Sequence, residues 1–469
     1  MSDSPTRYAR VLAWLDQHLI RRLYTDRVRR LILQSFPFWF ASVVVGFVAV
    51  GYEKLFAWAE QTSFRWFRQE PLLAFGFTPL AFLVSWALVQ RWAPAARGSG
   101  IPQVMAAIEL SNPGQHHRTG YLLSLRVAIV KVLSSVALLL GGGVIGREGP
   151  TIQISAAIFR TINRLQPAGW PQLSRQIALV TGGAAGLAAA FNTPLGGIVF
   201  VVEELTQMHM ARFRMAVFSA VIIAGLTAQA ILGPYLYLGF PKVTARAGWF
   251  LATVVLVALI CGLAGALLAK SLLWLGSYRR RFATLGQQTA WVLGCGLLLA
   301  GLAYAVGQEG MGTGKPIINR LLFQNNGQTP WYLFPARFAG MALSYSGGGA
   351  GGIFATSLSA GAILGDALAR LGQVPLEDRN LLVLVSMVSF LTGVVRSPFT
   401  AAILVLEMTD RHSAIFQLLL SGMMAQAVAS LVDPHSFYEH LKTGFLRETL
   451  AQPAPPSTRN RIAGPPAME

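Results

Sequence analysis

Gly141-Gly-Gly-Val-Ile-Gly-Arg-Glu-Gly-Pro150 sets a run of glycines and an Arg147–Glu148 pair inside an otherwise apolar segment. Glycine lets backbone N–H groups approach a ligand closely. Pro150, just past Glu148, signals a helix start, which aims the positive end of a helix dipole at whatever lies before it. Ionisable residues at membrane depth are costly and generally mark an ion or proton pathway. Two readings of the stretch stand side by side. Glu148 is an anionic side chain held at an anion site, or Arg147 and Glu148 form an ion pair joining two helices.

The surrounding chain supplies the membrane. Of 469 residues, 54% are hydrophobic and 12% charged, half the charge of an ordinary soluble protein. Apolar runs at 31–56, 72–92, 127–144, 215–240, 250–275, 291–306 and 413–432 account for this. Several are long enough to cross a hydrocarbon core of about 30 Å. The expected fold is an all-α polytopic membrane protein. Shorter apolar runs at 151–159, 194–204, 353–364 and 399–408 read as partial helices. Such ends are tolerated at membrane depth only where protein or a water-filled cavity covers them, and transporters use them to bind ions.

The net charge of +18 does not point to nucleic acid, because the basic residues flank the apolar runs. Arg21-Arg22, Arg29-Arg30, Arg160 with Arg164, Arg212 with Arg214 and Arg279-Arg280-Arg281 fall in short connections. That is the positive-inside pattern, and it places the N-terminus and those loops in the cytoplasm; the expected location is the inner membrane with both termini cytoplasmic. No cleavable signal peptide is expected, since the first apolar run begins too far in and is too long. Residues 1–30 alternate apolar and basic positions, as a helix lying on the membrane surface would. Residues 446–469 form a Pro-rich tail that reads as disordered. Cys261 and Cys295 read as packing residues, and His116-His117 lack further ligands at metal spacing, so no metal or cofactor is expected.

An internal repeat organises the rest. Gly141–Pro150 aligns without a gap on Gly347-Gly-Gly-Ala-Gly-Gly-Ile-Phe-Ala-Thr356 at an offset of 206 (347 − 141), which sets Glu148 opposite Phe354 and Lys131 opposite Arg337. Asn192-Thr-Pro-Leu-Gly-Gly-Ile-Val-Phe-Val-Val-Glu-Glu204 aligns on Arg396-Ser-Pro-Phe-Thr-Ala-Ala-Ile-Leu-Val-Leu-Glu-Met408 at an offset of 204 (398 − 194). Glu203 then matches Glu407, which suggests a shared structural task such as satisfying buried helix-end N–H groups. Glu204 faces Met408 and has no counterpart. The expected units are a first membrane repeat at 31–210, a connecting region with a span at 211–245, and a second repeat at 246–445. Repeat-built transporters place their site where the repeats meet.

Gly98-Ser99-Gly100-Ile-Pro102, Gly146-Arg-Glu148-Gly-Pro150, Gly351-Gly-Ile-Phe354-Ala and a late Tyr438 closely resemble the signature of the ClC chloride channels and proton-coupled chloride transporters. Asn192-Thr-Pro-Leu195 with Glu203-Glu204, and Leu404-Val-Leu-Glu-Met-Thr409, extend the resemblance over about residues 30 to 445. It implies a fold of two inverted halves and a homodimer with one pore per subunit. It implies chloride ligands at Ser99 and Tyr438 and at the backbone N–H groups of Ile353 and Phe354. Phe437 leaves the aromatic register open; Tyr438 is preferred for its hydroxyl. Glu148 resembles the gating glutamate, and Glu204 the inner glutamate that passes protons in exchangers and is usually uncharged in channels.

The chemistry is consistent with that resemblance. Chloride is large, monovalent and moderately hydrated, so a low-charge cradle of N–H and O–H donors replaces its water without trapping it. Gly146, Arg147, Gly149, Gly351 and Gly352 are the expected backbone cradle, and Ser99 adds a hydroxyl between two glycines. An ionised Glu148 mimics chloride at the outer position, and protonation releases it. Departures from the family pattern are small: Gln103 stands where many bacterial relatives are acidic, and Thr356 where many have proline. Ser99 argues against a nitrate-preferring member and, with Glu204, against the fluoride-exporting branch. The leading expectation is a chloride/proton antiporter, with a passive chloride channel on the same fold as the alternative. An intramembrane enzyme using Glu148 and Glu204 as an acid–base pair lacks a nucleophile or metal cluster, so no enzyme activity is expected.

Overall fold

Apolar runs become helices because backbone polar groups must be satisfied within the segment when no water is available. The computed structural model describes residues 26–452 apart from 113, 168–169, 172–173, 206–213, 234–235, 244–247, 249 and 325–328. The sequence reading of residues 1–25, of Arg212 and of the tail beyond 452 lies outside the described residues.

The first series comprises α1 (Asp26–Gln69), α2 (Ala74–Trp92), α3 (Ile101–Glu109), α4 (Thr119–Leu122), α5 (Leu125–Leu140), α6 (Glu148–Arg164), α7 (Arg175–Phe191), α8 (Pro194–Phe200) and α9 (Arg214–Leu232). The second comprises α10 (Phe250–Arg279), α11 (Leu285–Val306), α12 (Lys315–Phe323), α13 (Leu333–Ser346), α14 (Phe354–Leu371), α15 (Leu376–Val395), α16 (Pro398–Thr409) and α17 (Ile415–Val432). A last helix, α18 (Phe437–Ala451), follows. Among the described residues there is no strand, and eight helices are long and apolar enough to cross a membrane.

The same pairs pack in each series: α6 on α7 as α14 on α15, α1 on α9 as α10 on α17, and α7 on α9 as α15 on α17. On that pairing we assign α9 to the first series, which carries it past the expected end at residue 210. The central helices α7 and α15 are enclosed almost completely by their neighbours.

Local sequence sets where each helix restarts. Asn192 and Arg396, counterparts in the repeat, both adopt the left-handed conformation (φ 57° and 63°) at the ends of α7 and α15. Thr193-Pro194 and Ser397-Pro398 follow, and each proline opens the next helix, where its missing N–H costs nothing.

The N-termini of α8 and α16 are then capped reciprocally. Glu407, near the end of α16, accepts from the N–H groups of Leu195 (3.1 Å) and Gly196 (2.6 Å). Glu203, just past α8, accepts from the N–H groups of Phe399 (3.1 Å) and Thr400 (2.7 Å) and from the Thr400 hydroxyl. This is the shared task inferred from the alignment. The exchange requires α8 and α16 to lie antiparallel, as counterparts in inverted halves must. A second reciprocal exchange joins Gly146 and Gly352, each donating its N–H to the other's carbonyl at 2.7 Å. Those two glycines are counterparts at the offset of 206, so a local twofold axis passes between them.

Glu407→Gln replaces an acceptor of two N–H bonds by an amide of which only the oxygen accepts. The expected loss is about 1.5 kcal/mol for a charge-assisted pair, seen as a lower unfolding temperature in detergent. Glu203→Gln should behave alike; unchanged melting of both variants would refute the capping role.

Candidate ion-binding site at the repeat interface

Ser99 lies in the loop ahead of α3, in Gly98-Ser99-Gly100. Both glycines have positive φ (64° and 110°). Buried Lys131 on α5 fixes this loop by donating to the carbonyls of Ala96 and Gly98, each at 2.8 Å. Gln103 reinforces it, its amide donating to the carbonyls of Ala95 (3.0 Å) and Arg97 (2.7 Å). A carboxylate at 103 would offer neither donor, which gives the departure from the family pattern a structural meaning. Thr356 donates to the Ile353 carbonyl within the first turn of α14.

Tyr438, on the first turn of α18, brings its hydroxyl up to that of Ser99. Both oxygens are buried, and neither finds a hydrogen-bond partner among the described residues. Buried hydroxyls are ordinarily paired, so these two neighbouring hydroxyls are candidate donors to a small acceptor. The Tyr438 ring stacks on Phe354 with centroids 6.2 Å apart and planes at 10°. Phe437 instead packs edge-on against Tyr345 (5.5 Å). Of the two adjacent aromatics, Tyr438 is the one that reaches Ser99.

The first turns of α6 and α14 close the other side. Neither turn has intrahelical acceptors for its leading N–H groups, and the two starts approach each other, Gly146 lying beside Ala355 and Gly352 beside Gly149. Glu148 opens α6, and its carboxylate faces the N–H groups of its own residue and of Ala355. Oε2 of Glu148 is buried without a hydrogen-bond partner. Close approach demands two glycines here: an added Cβ at Gly146 would fall on that carboxylate oxygen, and one at Gly149 on the Ser99 hydroxyl.

Part of the expected backbone cradle is otherwise engaged. The N–H groups of Gly146 and Gly352 bond each other's carbonyls, and that of Gly351 donates to the Gly98 carbonyl at 3.0 Å. These three glycines shape the cradle and lock the two halves together, but their N–H groups are not available to an anion. Gly149 lies in the first helical turn of α6, Ile353 precedes α14, and Phe354 begins it. The Arg147 guanidinium pairs with Glu53 of α1 (3.1 Å) and donates to the Ala190 carbonyl.

Glu204 sits apart, in a π-helical turn, Val201–Leu205, that continues α8. Such turns widen a helix locally and recur at functional sites. The turn lets neighbouring carboxylates face different ways: Glu203 caps α16, while Glu204 accepts from the Ser397 hydroxyl at 2.6 Å and keeps Oε1 buried without a partner. Both Glu204 and Glu148 lie within electrostatic reach of Tyr438.

Several neighbours of the site escaped the sequence reading. Gly312-Thr-Gly-Lys-Pro316 repeats Gly98–Pro102 at an offset of 214 (312 − 98), again with positive φ at both glycines (68° and 85°). Buried Arg337 clamps it through the carbonyls of Met311 (2.6 Å) and Gly312 (3.2 Å), as Lys131 clamps the first loop. The Thr313 hydroxyl and N–H both donate to Glu60 (2.8 and 2.6 Å), whereas Ser99 has no such carboxylate. The Lys315 ammonium lies 4.0 Å from the Tyr237 ring centre, within electrostatic reach of Arg147, Glu53 and Glu148. The available signal was Glu53 and Glu60, acidic residues seven apart in a long apolar helix.

Two inverted repeats with helix starts, orphaned hydroxyls and a buried carboxylate at their interface define a membrane transport protein with a candidate ion site at the repeat junction. The family model described as voltage gated chloride channel matches residues 80–430, and the chain belongs to that family. It is 30% identical over 479 residues to the H(+)/Cl(-) exchange transporter ClcA of Salmonella agona (strain SL483), covering 96% of this chain and 97% of the relative. The ClcA of Cronobacter sakazakii is 32% identical over 437 residues, covering 87% and 88%. Among solved structures, a slow cyanobacterial Cl-/H+ antiporter superposes with TM-score 0.73 at 24% identity, covering 88% of this chain and 98% of its own. A CLC-type fluoride/proton antiporter gives TM-score 0.73 at 19% identity, with the same coverage. At those identities the structures speak for the fold.

Gly149→Ala should weaken anion binding about tenfold, the equivalent of losing roughly 1.4 kcal/mol, because the new methyl displaces the Ser99 hydroxyl. Calorimetric titration of the detergent-solubilised protein with chloride reads this; unaltered affinity would remove Ser99 from the site.

Proposed function

We propose that this protein exchanges chloride for protons across the cytoplasmic membrane. The observation that carries the reading is the pair of unpartnered buried hydroxyls, Ser99 and Tyr438, set beside a helix-start carboxylate, Glu148. In this reading Ser99, Tyr438 and the N–H groups of Ile353 and Phe354 hold chloride. Arg147 and Gly149 contribute to the outer cradle, while Gly146, Gly351 and Gly352 give it shape. Glu148 is the gate: ionised, it takes the anion's place near Ala355; protonated, it leaves, and chloride enters. Proton and chloride occupancy are coupled because they compete through one group. Phe354 stands at the matching position of the other half and does not titrate, so one gate serves each pore.

Glu204 is the inner proton donor and acceptor in this scheme. Its partner-free Oε1 and its lack of a counterpart in the second repeat support that role, and both set it apart from Glu203. The names of the ClcA relatives favour exchange over passive conduction on the same fold. The protein acts in the bilayer as a homodimer of the inner membrane, with both termini cytoplasmic as the basic loops suggest, and without enzymatic activity or nucleic-acid binding.

Reconstitution in liposomes under a chloride gradient tests the reading: protons should move uphill as chloride runs down. Chloride flux with no proton movement would reduce the protein to a channel. Glu204→Gln is expected to abolish proton movement while chloride flux continues; retained coupling would take Glu204 off the proton path. In Glu148→Gln, which cannot ionise, chloride flux should no longer respond to pH. Persistent pH dependence would count against Glu148 as the gate.

A further inference from the structure

The turn between α17 and α18 reads Asp433-Pro-His435-Ser-Phe-Tyr438-Glu-His440 and gathers three metal-competent side chains. One ligand atom from each of Asp433, His435 and His440 lies within 4.8 Å of the other two. Oδ2 of Asp433 is 3.0 Å from Nε2 of His440, and its Oδ1 is 4.0 Å from Nδ1 of His435. Ligands bound tetrahedrally at 2.0–2.2 Å stand about 3.4 Å apart, so these separations bracket what zinc requires. The Asp433 carboxylate is oriented in advance, accepting from the His435 N–H at 2.9 Å. The Asp433–His440 contact holds at most a proton, which a metal displaces on binding. Two imidazoles and one carboxylate favour zinc-like divalent ions over magnesium, which prefers an all-oxygen shell.

Position gives the cluster a consequence. His440 lies two residues beyond Tyr438 on α18, and Asp433 lies just before the helix. The Asp433 carbonyl accepts from the Arg396 guanidinium at 3.2 Å, and Arg396 adjoins Ser397, the donor to Glu204. We propose that Asp433, His435 and His440 form a site for a zinc-like divalent cation whose occupancy restrains the first turn of α18 and slows transport. The restraint rests on the transport function proposed above; the binding does not.

The experiment uses the untagged full-length protein in detergent, titrated with Zn2+ against a chromophoric chelator, with Mg2+ as control. One zinc ion per chain is expected, with affinity reduced at least about tenfold by His440→Ala and by His435→Ala. The variant His116→Ala/His117→Ala should bind as the unmodified chain does. No binding, or binding unaffected by the His435 and His440 changes, overturns the site. In liposomes, zinc should inhibit flux of the unmodified protein and leave His435→Ala/His440→Ala uninhibited, with its metal-free flux intact. Bound zinc without an effect on flux overturns the restraint. If no chloride or proton flux appears at all, the proposed function fails while the titration still decides the site.

Discussion

Helix N-termini buried at membrane depth carry N–H groups that neither water nor the helix itself can satisfy. The rest of this structure depends on how those groups are answered. At α8 and α16 the answer is a carboxylate from the opposite half, Glu407 in one direction and Glu203 in the other. Each half thereby supplies what the other lacks, and neither is complete alone. At α6 and α14 the described residues offer no such carboxylate from the opposite half, only the Glu148 side chain at the mouth of its own helix. The ends filled by permanent carboxylates hold the halves together. The ends without such carboxylates are the ones that the proposed function assigns to Glu148 and chloride.

Twofold pairing explains how the interface stays rigid around that opening. Gly146 and Gly352 spend their amides on each other, and Gly351 spends its own on Gly98. Lys131 and Arg337 pull matching loops into register from below their glycine runs. Buried cations of this kind cost desolvation, recovered here through several charge-assisted bonds to carbonyls. The candidate cradle is thus built from backbone held in place by the opposite half and by buried cations.

Much of this was legible in the sequence because inverted repeats leave paired marks. The gapless offset of 206 paired Gly146 with Gly352 as counterparts, and matching Glu203 to Glu407 while leaving Glu204 unmatched separated cap from candidate proton carrier. Other features were hidden for identifiable reasons. A glycine run announces that backbone can be approached, but not by what, so Gly146, Gly351 and Gly352 read as ligands when their amides face protein. Glu53 and Glu60 act on loops far away in sequence, and the apolar setting of α1 says nothing of their partners. The π turn at Val201–Leu205 carries two adjacent glutamates in an apolar segment, and local composition does not foretell it.

The loop at Gly312–Pro316 carries a final consequence. It has the glycines, the hydroxyl residue and the clamping cation of the loop at Gly98–Pro102, yet Glu60 occupies its donors. A repeated loop brings with it a repeated set of donors. In this chain the second set is self-liganded: a carboxylate of the protein itself takes the donors. The side chain of Glu60, reaching over from α1, thus distinguishes the two loops without any change in their positive-φ glycines.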